Sequence, residues 1–492
     1  MLCNETAKRS ITLRYPAGET RRWIKLLVDK LAEIGFVTCV AYMPGRHTAD
    51  PAMQALNVAE QLVFGRVPRF WDIVEDDIPS QRPEPTDLTL ALGDDCAGSD
   101  LSIWIDGMAG LAHLPRLLIG RRVPLIEIRD NAGAIVAAGV PGIEHPDVLG
   151  RALDMVLARI MTLILMALDG QKRQTPDPHS ARPQRGGSPL VFGSGAVFTK
   201  ILGRLAGDRV KPEHWRVAIR PLATSRDEDL PLRDLERFAW LSDDGLRYYA
   251  DPVLWDEGGR TYLFVEEFDY ALGRGLISYT ELDDQGRACF TPRPVITRKG
   301  HLSYPLMFRH EGEIYMMPEN AQEGHLPLYR ASRFPEEWQE LAPLIGGIGL
   351  HDATLLAYED AWWLLANEAR EGGSSWDCLC LYKSRTPLGP FEPHPGNPVL
   401  VDTRAARSAG PVFRTGAGEL IRPVQNCEGG YGRALSFARI DQLGQAGFSQ
   451  HLLGEPIRPR SSGISGLHSY SRSSRLEAID MLTPRQFAKD PR

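Results

Sequence analysis

Apolar residues in the first 170 positions follow two rhythms. Short runs suited to buried strands occur at SITLRYP (Ser10–Pro16), FVTCVAYM (Phe36–Met43), DLTLALG (Asp87–Gly93), LSIWIDG (Leu101–Gly107) and PLIEIRD (Pro124–Asp130). Between the first two, Trp23, Leu26, Leu27 and Leu31 recur at helical spacing and the pattern stops at Gly35, which predicts a helix over Glu19–Gly35. A second, more apolar helix is expected over Val148–Leu168. Strands alternating with helices predict an α/β layer built on a small parallel sheet.

The rhythm then changes. DGQKRQTPDPHSARPQRGGSP (Asp169–Pro189) is rich in Pro, Gly, Arg and Gln and nearly free of apolar residues, the composition of a linker. Beyond it helical spacing nearly vanishes and one unit recurs. ADPVLWDEGGRTYLFVEEF starts at Ala250, SYPLMFRHEGEIYMMPEN at Ser303, HDATLLAYEDAWWLLANEA at His351, AGPVFRTGAGELIRPVQN at Ala409 and the fainter GLHSYSRSSRLEAIDML at Gly466. Each is a polar or small doublet, an apolar strand, a charged turn, a second apolar strand and a polar exit. The starts are 53, 48, 58 and 57 residues apart. A hairpin repeated about every 50 residues is the signature of a propeller of four-stranded blades. The segment Val191–Leu246, with HWRVAIRP, is expected to supply the strands that close the ring. The chain therefore reads as an α/β, Rossmann-like N-terminal domain (1–170), a linker (171–190) and an all-β five-bladed propeller (191–484).

A propeller gives chemical meaning to the repeat starts. The first strand of each blade borders the central channel, so a polar residue at its start projects into the mouth. Asp251, Tyr304, Asp352, Gly410 and His468 hold that place in successive units and are expected to converge.

Length and charge agree with this division. A chain of 492 residues is too long for one core and calls for two or three. A formal net charge of -7 offers no electrostatic reason for a nucleic-acid partner. The apolar stretch Ala152–Leu168 carries Asp154 and Arg159 and falls short of the roughly 20 residues a membrane span needs, so a buried helix is expected, with peripheral membrane contact left open. The N-terminus lacks the apolar core of a signal peptide. Seven scattered cysteines with no CxxC pair predict reduced thiols and a cytoplasmic protein. No metal motif or nucleotide fingerprint is present, so no cofactor is expected. RYPAGETRRW (Arg14–Trp23) sets a Gly-containing loop before a helix start, a weak candidate for anion binding with Arg21 and Arg22.

At ADP (Ala250-Asp251-Pro252) and HDA (His351-Asp352-Ala353) the sequence resembles the five-bladed propeller glycosidases of the arabinanase, xylosidase and invertase type, the glycosyl hydrolase family 43-like group. The resemblance makes Asp251 and Asp352 counterparts of that family's blade I and blade III aspartates. The stretch 190–482 resembles the bacterial relatives of the N-terminal propeller of plant glucosamine inositolphosphorylceramide transferase, through HLSYPLMFRHEGEIYMMPEN, HDATLL followed by WWLL, and RPVQNCEGGYG. In such relatives a domain similar to formyltransferases often stands at the N-terminus. Here the HPSLLP block of formyltransferases is missing, and EHPDVLG (Glu144–Gly150) shares only HP with it.

One departure concerns the chemistry. The glycosidases begin blade IV with a general-acid glutamate, whereas this chain reads SAGP (Ser408–Pro411). Glycoside hydrolysis needs two carboxyl groups, one to protonate the leaving oxygen and one as base or nucleophile. With Asp251 as base or nucleophile and Asp352 orienting substrate, the acid is expected at Glu319 in PEN or Glu428 in NCEGGYG. Glu266 and Glu267 are weaker candidates, and strand alternation allows at most one of them to reach the mouth. Tyr304, His301, His351, Trp376, Arg422, Gln425 and Tyr431 are candidate substrate contacts, Trp376 as a surface platform after a Gly-Ser loop. The leading expectation is an enzyme acting on a glycosidic bond of a carbohydrate or glycolipid, by hydrolysis or transfer. Two alternatives stay open: a non-catalytic glycan-binding module, and a two-domain transferase with its donor on the N-terminal domain.

Overall fold

The computed structural model describes residues 9–16, 21–43, 86–171, 173–176, 213–222, 235–459 and 463–485, with a few single positions between them. The chain divides into two compact units, Met1–Gly207 with Arg370–Ser374, and Asp208–Ala369 with Ser375–Arg492. Most of the expected linker 171–190 lies outside the described residues.

In the first unit, β1 (Arg9–Pro16) pairs in parallel with β2 (Phe36–Met43) on one side and β3 (Leu88–Ala91) on the other, and β3 pairs in parallel with β4 (Leu101–Ile105). β5 (Ile126–Asp130) and β6 (Ile135–Gly139) then run antiparallel, so the order is β2-β1-β3-β4-β5-β6 and the sheet is mixed rather than parallel as expected. β5 already runs antiparallel to β4, and β6 returns along β5 in a hairpin whose turn holds Gly133 at φ 83, with the Asp130 carboxylate accepting the N–H groups of Ala132 and Ala134. Helix α1 (Arg22–Glu33) buries Trp23, Leu27 and Leu31 of the predicted face together with Ile24, while Leu26 is half-buried. A short helix α2 covers Leu114–Ile119 and a long one, α3, covers Leu149–Leu168. α3 is buried on most of its circumference, and its buried Arg159 is hydrogen-bonded to Thr162. Among the described residues no helix is long and apolar enough to cross a membrane.

The second unit is a five-bladed propeller. Blade I comprises Arg247–Glu257, Arg260–Asp269, Arg274–Leu282 and Arg293–Ile296. Blade II comprises Ser303–His310, Glu313–Glu319, Tyr329–Arg333 and Glu337–Glu340. Blade III is built on Leu350–Tyr358, Ala361–Glu368 and Cys378–Ser384, and blade IV on Phe413–Arg414, Leu420–Asn426, Ala434–Gly444 and Gly447–Leu452. Blade V joins both ends of the unit: Gly466–Arg472 and Leu476–Pro484 are completed by Glu213–Pro221 and Ala239–Trp240, with Ala478 opposite Ile219. A separate apolar core fills each of the five gaps between blades, from Phe264, Ile277 and Met316 between I and II to Val217, Ile219 and Leu263 between V and I. Because every blade buries both faces against neighbours, the ring has no open end, which is how this architecture protects its sheet edges.

Candidate active site

The first strands of the blades carry a shared irregularity. Pairing with the second strand skips two residues between Ala250 and Val253, Ser303 and Leu306, His351 and Thr354, and Leu467 and Tyr470. In blades I to III the first skipped residue is left-handed: φ is 49° at Asp251, 46° at Tyr304 and 46° at Asp352. Such a conformation costs a non-glycine residue on the order of 1–3 kcal/mol and persists only where its surroundings hold it. They do so here with side-chain acceptors. The Asp251 N–H donates to Asp480 Oδ2 at 2.9 Å, the Tyr304 N–H to Asp251 Oδ2 at 3.1 Å and the Asp352 N–H to Glu319 Oε2 at 2.8 Å. In blade IV the Gly410 N–H donates to the Tyr304 hydroxyl at 2.8 Å. The bulges thus redirect the strand starts inward, and the groups they present tie blade to blade across the hub.

A cavity of about 250 Å³ opens at this hub. Its walls include Asp251, Glu266 and Glu319, the histidines His301, His351 and His468, Arg407, and the aromatic residues Trp215, Tyr248 and Tyr431. Asp251 Oδ1 accepts from the Ser469 hydroxyl at 2.8 Å and lies 3.5 Å from His468 Nε2. His468 in turn holds Asp480 Oδ1 through Nδ1 at 2.7 Å and stacks on Trp215 with ring centres 3.9 Å apart. Glu319 Oε1 meets His351 Nδ1 at 3.1 Å. Asp352 lies behind the wall, where Oδ2 accepts from Arg407 Nε at 2.6 Å and from Gln425 Nε2 at 2.8 Å.

Three wall carboxyl groups therefore sit in three environments. Burial pushes Glu266 well above the usual carboxylate range, reinforced by Asp251 and Glu319. Burial also raises Asp251, with the His468 charge opposing it. Glu319 is buried too, but His351 and Arg407 outweigh that effect and hold it well below the ordinary value. His468 is raised because Asp480 and Asp251 outweigh its desolvation, while burial lowers His301. The tautomer of His301 follows from its partner. Nδ1 accepts the Gly275 N–H at 2.9 Å, so the neutral ring carries its proton on Nε2, 3.4 Å from Glu266 Oε1.

Of the residues singled out in the sequence, Asp251, Glu319, His301, His351 and Tyr431 line the cavity. Tyr304 is buried beneath it, with its hydroxyl between Gly410 and Thr354. Gln425 is buried against Asp352. Arg422 is 0% exposed and donates to the carbonyls of Ala405 and Ala406, Ser408 and Gln450 within blade IV. Trp376 is buried, its ring 5.9 Å from that of Tyr431, rather than forming an exposed platform. Glu428 is not among the lining residues. Glu267 turns away from the mouth to Arg247 at 2.8 Å and the Ser278 hydroxyl at 2.7 Å, which leaves Glu266 facing the cavity. Sequence reasoning missed Trp215, Arg407, Asn320 and Asp480. None begins a repeat: Asn320 and Asp480 lie in the second strand or exit of their units, Trp215 in the HWRVAIRP segment and Arg407 between units.

The ligand atoms of Asp251, His468 and Asp480 lie within 4.8 Å of one another, close enough to hold a metal. Their hydrogen bonding does not favour one. Asp480 Oδ1 already accepts from the N–H of Ser469 and from His468 Nδ1, and Oδ2 from the N–H of Asp251. In the N-terminal unit, residues 17–20 of the expected anion loop lie outside the described residues, and Arg14 is engaged by Ser99 Oγ at 2.9 Å and Asp95.

Residues 240–463 match the family model described as Glucosamine inositolphosphorylceramide transferase 1, N-terminal. The curated Glucosamine inositolphosphorylceramide transferase 1 of Oryza sativa subsp. japonica is 36% identical over 199 residues, covering 40% of this chain and 26% of the rice protein. Its Arabidopsis thaliana namesake is 34% identical over 204 residues, again 40% and 26%. The chain thus spans about a quarter of the length of these relatives. Among solved structures, a family 117 glycoside hydrolase from Zobellia galactanivorans has a TM-score of 0.36 at 13% identity, covering 56% of this chain and 93% of that one. A thermostable family-43 glycoside hydrolase has a TM-score of 0.33 at 14% identity, covering 43% and 77%. Residues 240–463 are thus similar to the region described as the N-terminal part of Glucosamine inositolphosphorylceramide transferase 1.

Proposed function

We propose that the mouth pocket acts on a glycosidic bond of a carbohydrate or glycolipid, by hydrolysis or by transfer of the glycosyl unit. One observation carries this reading: two carboxyl groups, Asp251 and Glu266, face a single cavity, both raised by burial, with the His468 charge opposing that shift at Asp251 and neighbouring acids reinforcing it at Glu266. Paired carboxyl groups whose surroundings set different protonation states are what acid–base cleavage of an acetal needs. Glu266 gives its proton to the bridging oxygen as the C1–O bond breaks. Asp251 takes the proton of the water, or of the acceptor hydroxyl, whose oxygen bonds to C1. Glu319 stays ionised throughout, so it orients rather than donates. Trp215, Tyr248 and Tyr431 offer ring faces for sugar stacking. The printed name of the rice and Arabidopsis relatives, Glucosamine inositolphosphorylceramide transferase 1, supports a sugar-bearing partner, and peripheral contact with a membrane would suit one.

A non-catalytic glycan-binding module is the second reading, and blade IV favours it. A Cβ on Gly410 would lie 1.9 Å from the Tyr470 carbonyl oxygen, so the glycosidase-type acid has no room at that position. Incubating the purified chain with a panel of furanosides, pyranosides and nucleotide sugars, with product detection, separates the two. Turnover that disappears in both Asp251→Asn and Glu266→Gln supports catalysis. Turnover unchanged in Asp251→Asn refutes the assignment, and saturable binding without product leaves the binding module.

A further inference from the structure

We propose that Asn320 is a specificity-determining residue of the mouth pocket: its Oδ1 accepts one free hydroxyl of the bound sugar and so rejects the deoxy and O-alkylated forms at that position. This rests on the pocket being a carbohydrate site and names the group on the sugar that it selects.

The orientation of the amide is fixed by its neighbours. Asn320 is 1% exposed and lines the cavity. His325 Nδ1 faces the Glu323 carbonyl oxygen at 3.3 Å, an atom that can only accept, so Nδ1 carries a proton. In the neutral ring Nε2 is then an acceptor, and it takes one hydrogen of Asn320 Nδ2 at 3.2 Å. The other hydrogen goes to Glu323 Oε2 at 2.8 Å. Turning the amide over would set its oxygen against that carboxylate, acceptor against acceptor. Oδ1 therefore faces away from both, and it has no hydrogen-bond partner among the described residues. The local use of an asparagine at such a place is declined as well. Asn320 precedes the helical turn Ala321–Glu323, yet its side chain makes no capping bond, and the Glu323 N–H goes to the Asn320 carbonyl at 3.1 Å. A buried acceptor left unpaired is costly and rare, so one on a cavity wall points to a ligand that brings a donor.

The rest of the wall decides which donor. Glu319, the preceding residue, has its two oxygens taken by His351 Nδ1 and the Asp352 N–H. Arg407 is committed to Asp352 and Ser375, and His468 to Asp480. A sugar hydroxyl gives Oδ1 one hydrogen and adds no charge, so Glu266 keeps the proton it delivers to the bridging oxygen. An ether at the same carbon has no hydrogen to give and places a methyl group where the acceptor stands. A deoxy carbon leaves Oδ1 both dry and unpaired. A site built around a buried polar group discriminates strongly against the analogue that lacks the matching group.

The test uses the full chain and the methyl glycosides of glucose, galactose, mannose, xylose and arabinose, each with its monodeoxy and mono-O-methyl derivatives. Titration calorimetry at neutral pH reads the affinities. For a parent that binds, the deoxy and O-methyl forms at one ring position are expected to bind about tenfold or more weaker, the scale of one buried unpaired acceptor. In Asn320→Ala the parent is expected to fall to the affinity of that deoxy form, whose own binding changes by less than about twofold, while discrimination at other positions persists. Circular dichroism verifies the fold. Glu323→Ala, at an exposed residue, releases the amide and is expected to reduce the same discrimination, so the inference is tested even where Asn320→Ala does not fold. If every derivative binds within about twofold of its parent, or if the discrimination survives in the folded variants, the inference is overturned and the carbohydrate reading stands. If no glycoside binds, that reading falls and the inference with it. Discrimination lost in Asn320→Ala without any turnover supports the inference and removes catalysis.

Discussion

Glu266→Gln should make the propeller increasingly more stable than the wild type as pH rises, and the slope of the difference can be worked out in advance. The substitution keeps the shape of the side chain and removes its charge. In the native wild type, burial and the neighbouring acids hold the carboxyl proton well above the usual carboxylate range. The unfolded chain releases that proton above about pH 4.3. Between those two values the native state binds one more proton than the unfolded state, so the wild type loses about 1.4 kcal/mol of stability for each pH unit gained. The glutamine variant has no such term. Two pH units inside the window therefore open a gap of about 2.7 kcal/mol in favour of the variant, and below the unfolded value the gap closes. Urea denaturation of both proteins at pH 4.5, 5.5 and 6.5, followed by tryptophan fluorescence, reads the difference directly, because every other titrating group is common to the pair. Glu319→Gln supplies the opposite sign. His351 and Arg407 hold Glu319 below its unfolded value, so the wild-type carboxylate contributes stability above about pH 4.3 that is lost as pH falls through the native value. Parallel curves for wild type and Glu266→Gln would refute the claim that this carboxyl is held neutral, and the assignment of Glu266 as the proton donor would fall with it.

Three further substitutions probe how the hub is held. Arg407→Met strands the buried Asp352 carboxyl, and a loss of about 3–5 kcal/mol at neutral pH is expected in chemical denaturation. Tyr304→Phe removes the acceptor of the Gly410 N–H, a buried donor, and should cost about 1–3 kcal/mol, visible as a lower melting temperature. Gly410→Ala meets both the Tyr470 carbonyl and a φ of 136°, so a loss larger than that of Tyr304→Phe is expected in the same melting experiment. Little change on Gly410→Ala would mean that the loop can move enough to admit a side chain.

The repeat was legible because it is a property of spacing. The residue after Ala250, Ser303 or His351, and the second residue after Gly466, falls at the bulge of its blade, and the structure shows the same pairing irregularity at each. The division of labour at the mouth was not legible, because it depends on neighbours supplied from elsewhere in the ring. Glu319 was a candidate proton donor, yet His351, Arg407 and the Asp352 N–H favour its anionic form. Arg422 looked available and is spent inside blade IV. In the N-terminal unit, alternation of strands and helices identified the α/β layer, but the antiparallel placement of β5 against β4 and of β6 against β5 is not encoded in a pattern of apolar runs.

Blade IV shows how a local absence becomes a global constraint. The sequence showed that SAGP holds no carboxylate; it did not show that none can be accommodated. The Tyr470 carbonyl occupies the space a Gly410 side chain would need, and the Tyr470 N–H is bonded to the Ala409 carbonyl at 2.7 Å, so blade V is fastened against this turn. An acid for this cavity must therefore come from another strand. The second strand of blade I alternates Glu266 and Glu267 between its faces, and one of the two has to point to the hub. Arg247 and Ser278 claim Glu267 on the opposite face. What remains at the mouth is a carboxyl without a cation, set beside a histidine whose tautomer is fixed by a backbone amide. Gly275 is what permits that approach, since a Cβ there would lie 2.7 Å from Glu266 Oε1 and 2.8 Å from the His301 ring. The buried carboxyl at the mouth is thus placed by one glycine that leaves no room for a side chain in blade IV and another that lets Glu266 in from blade I.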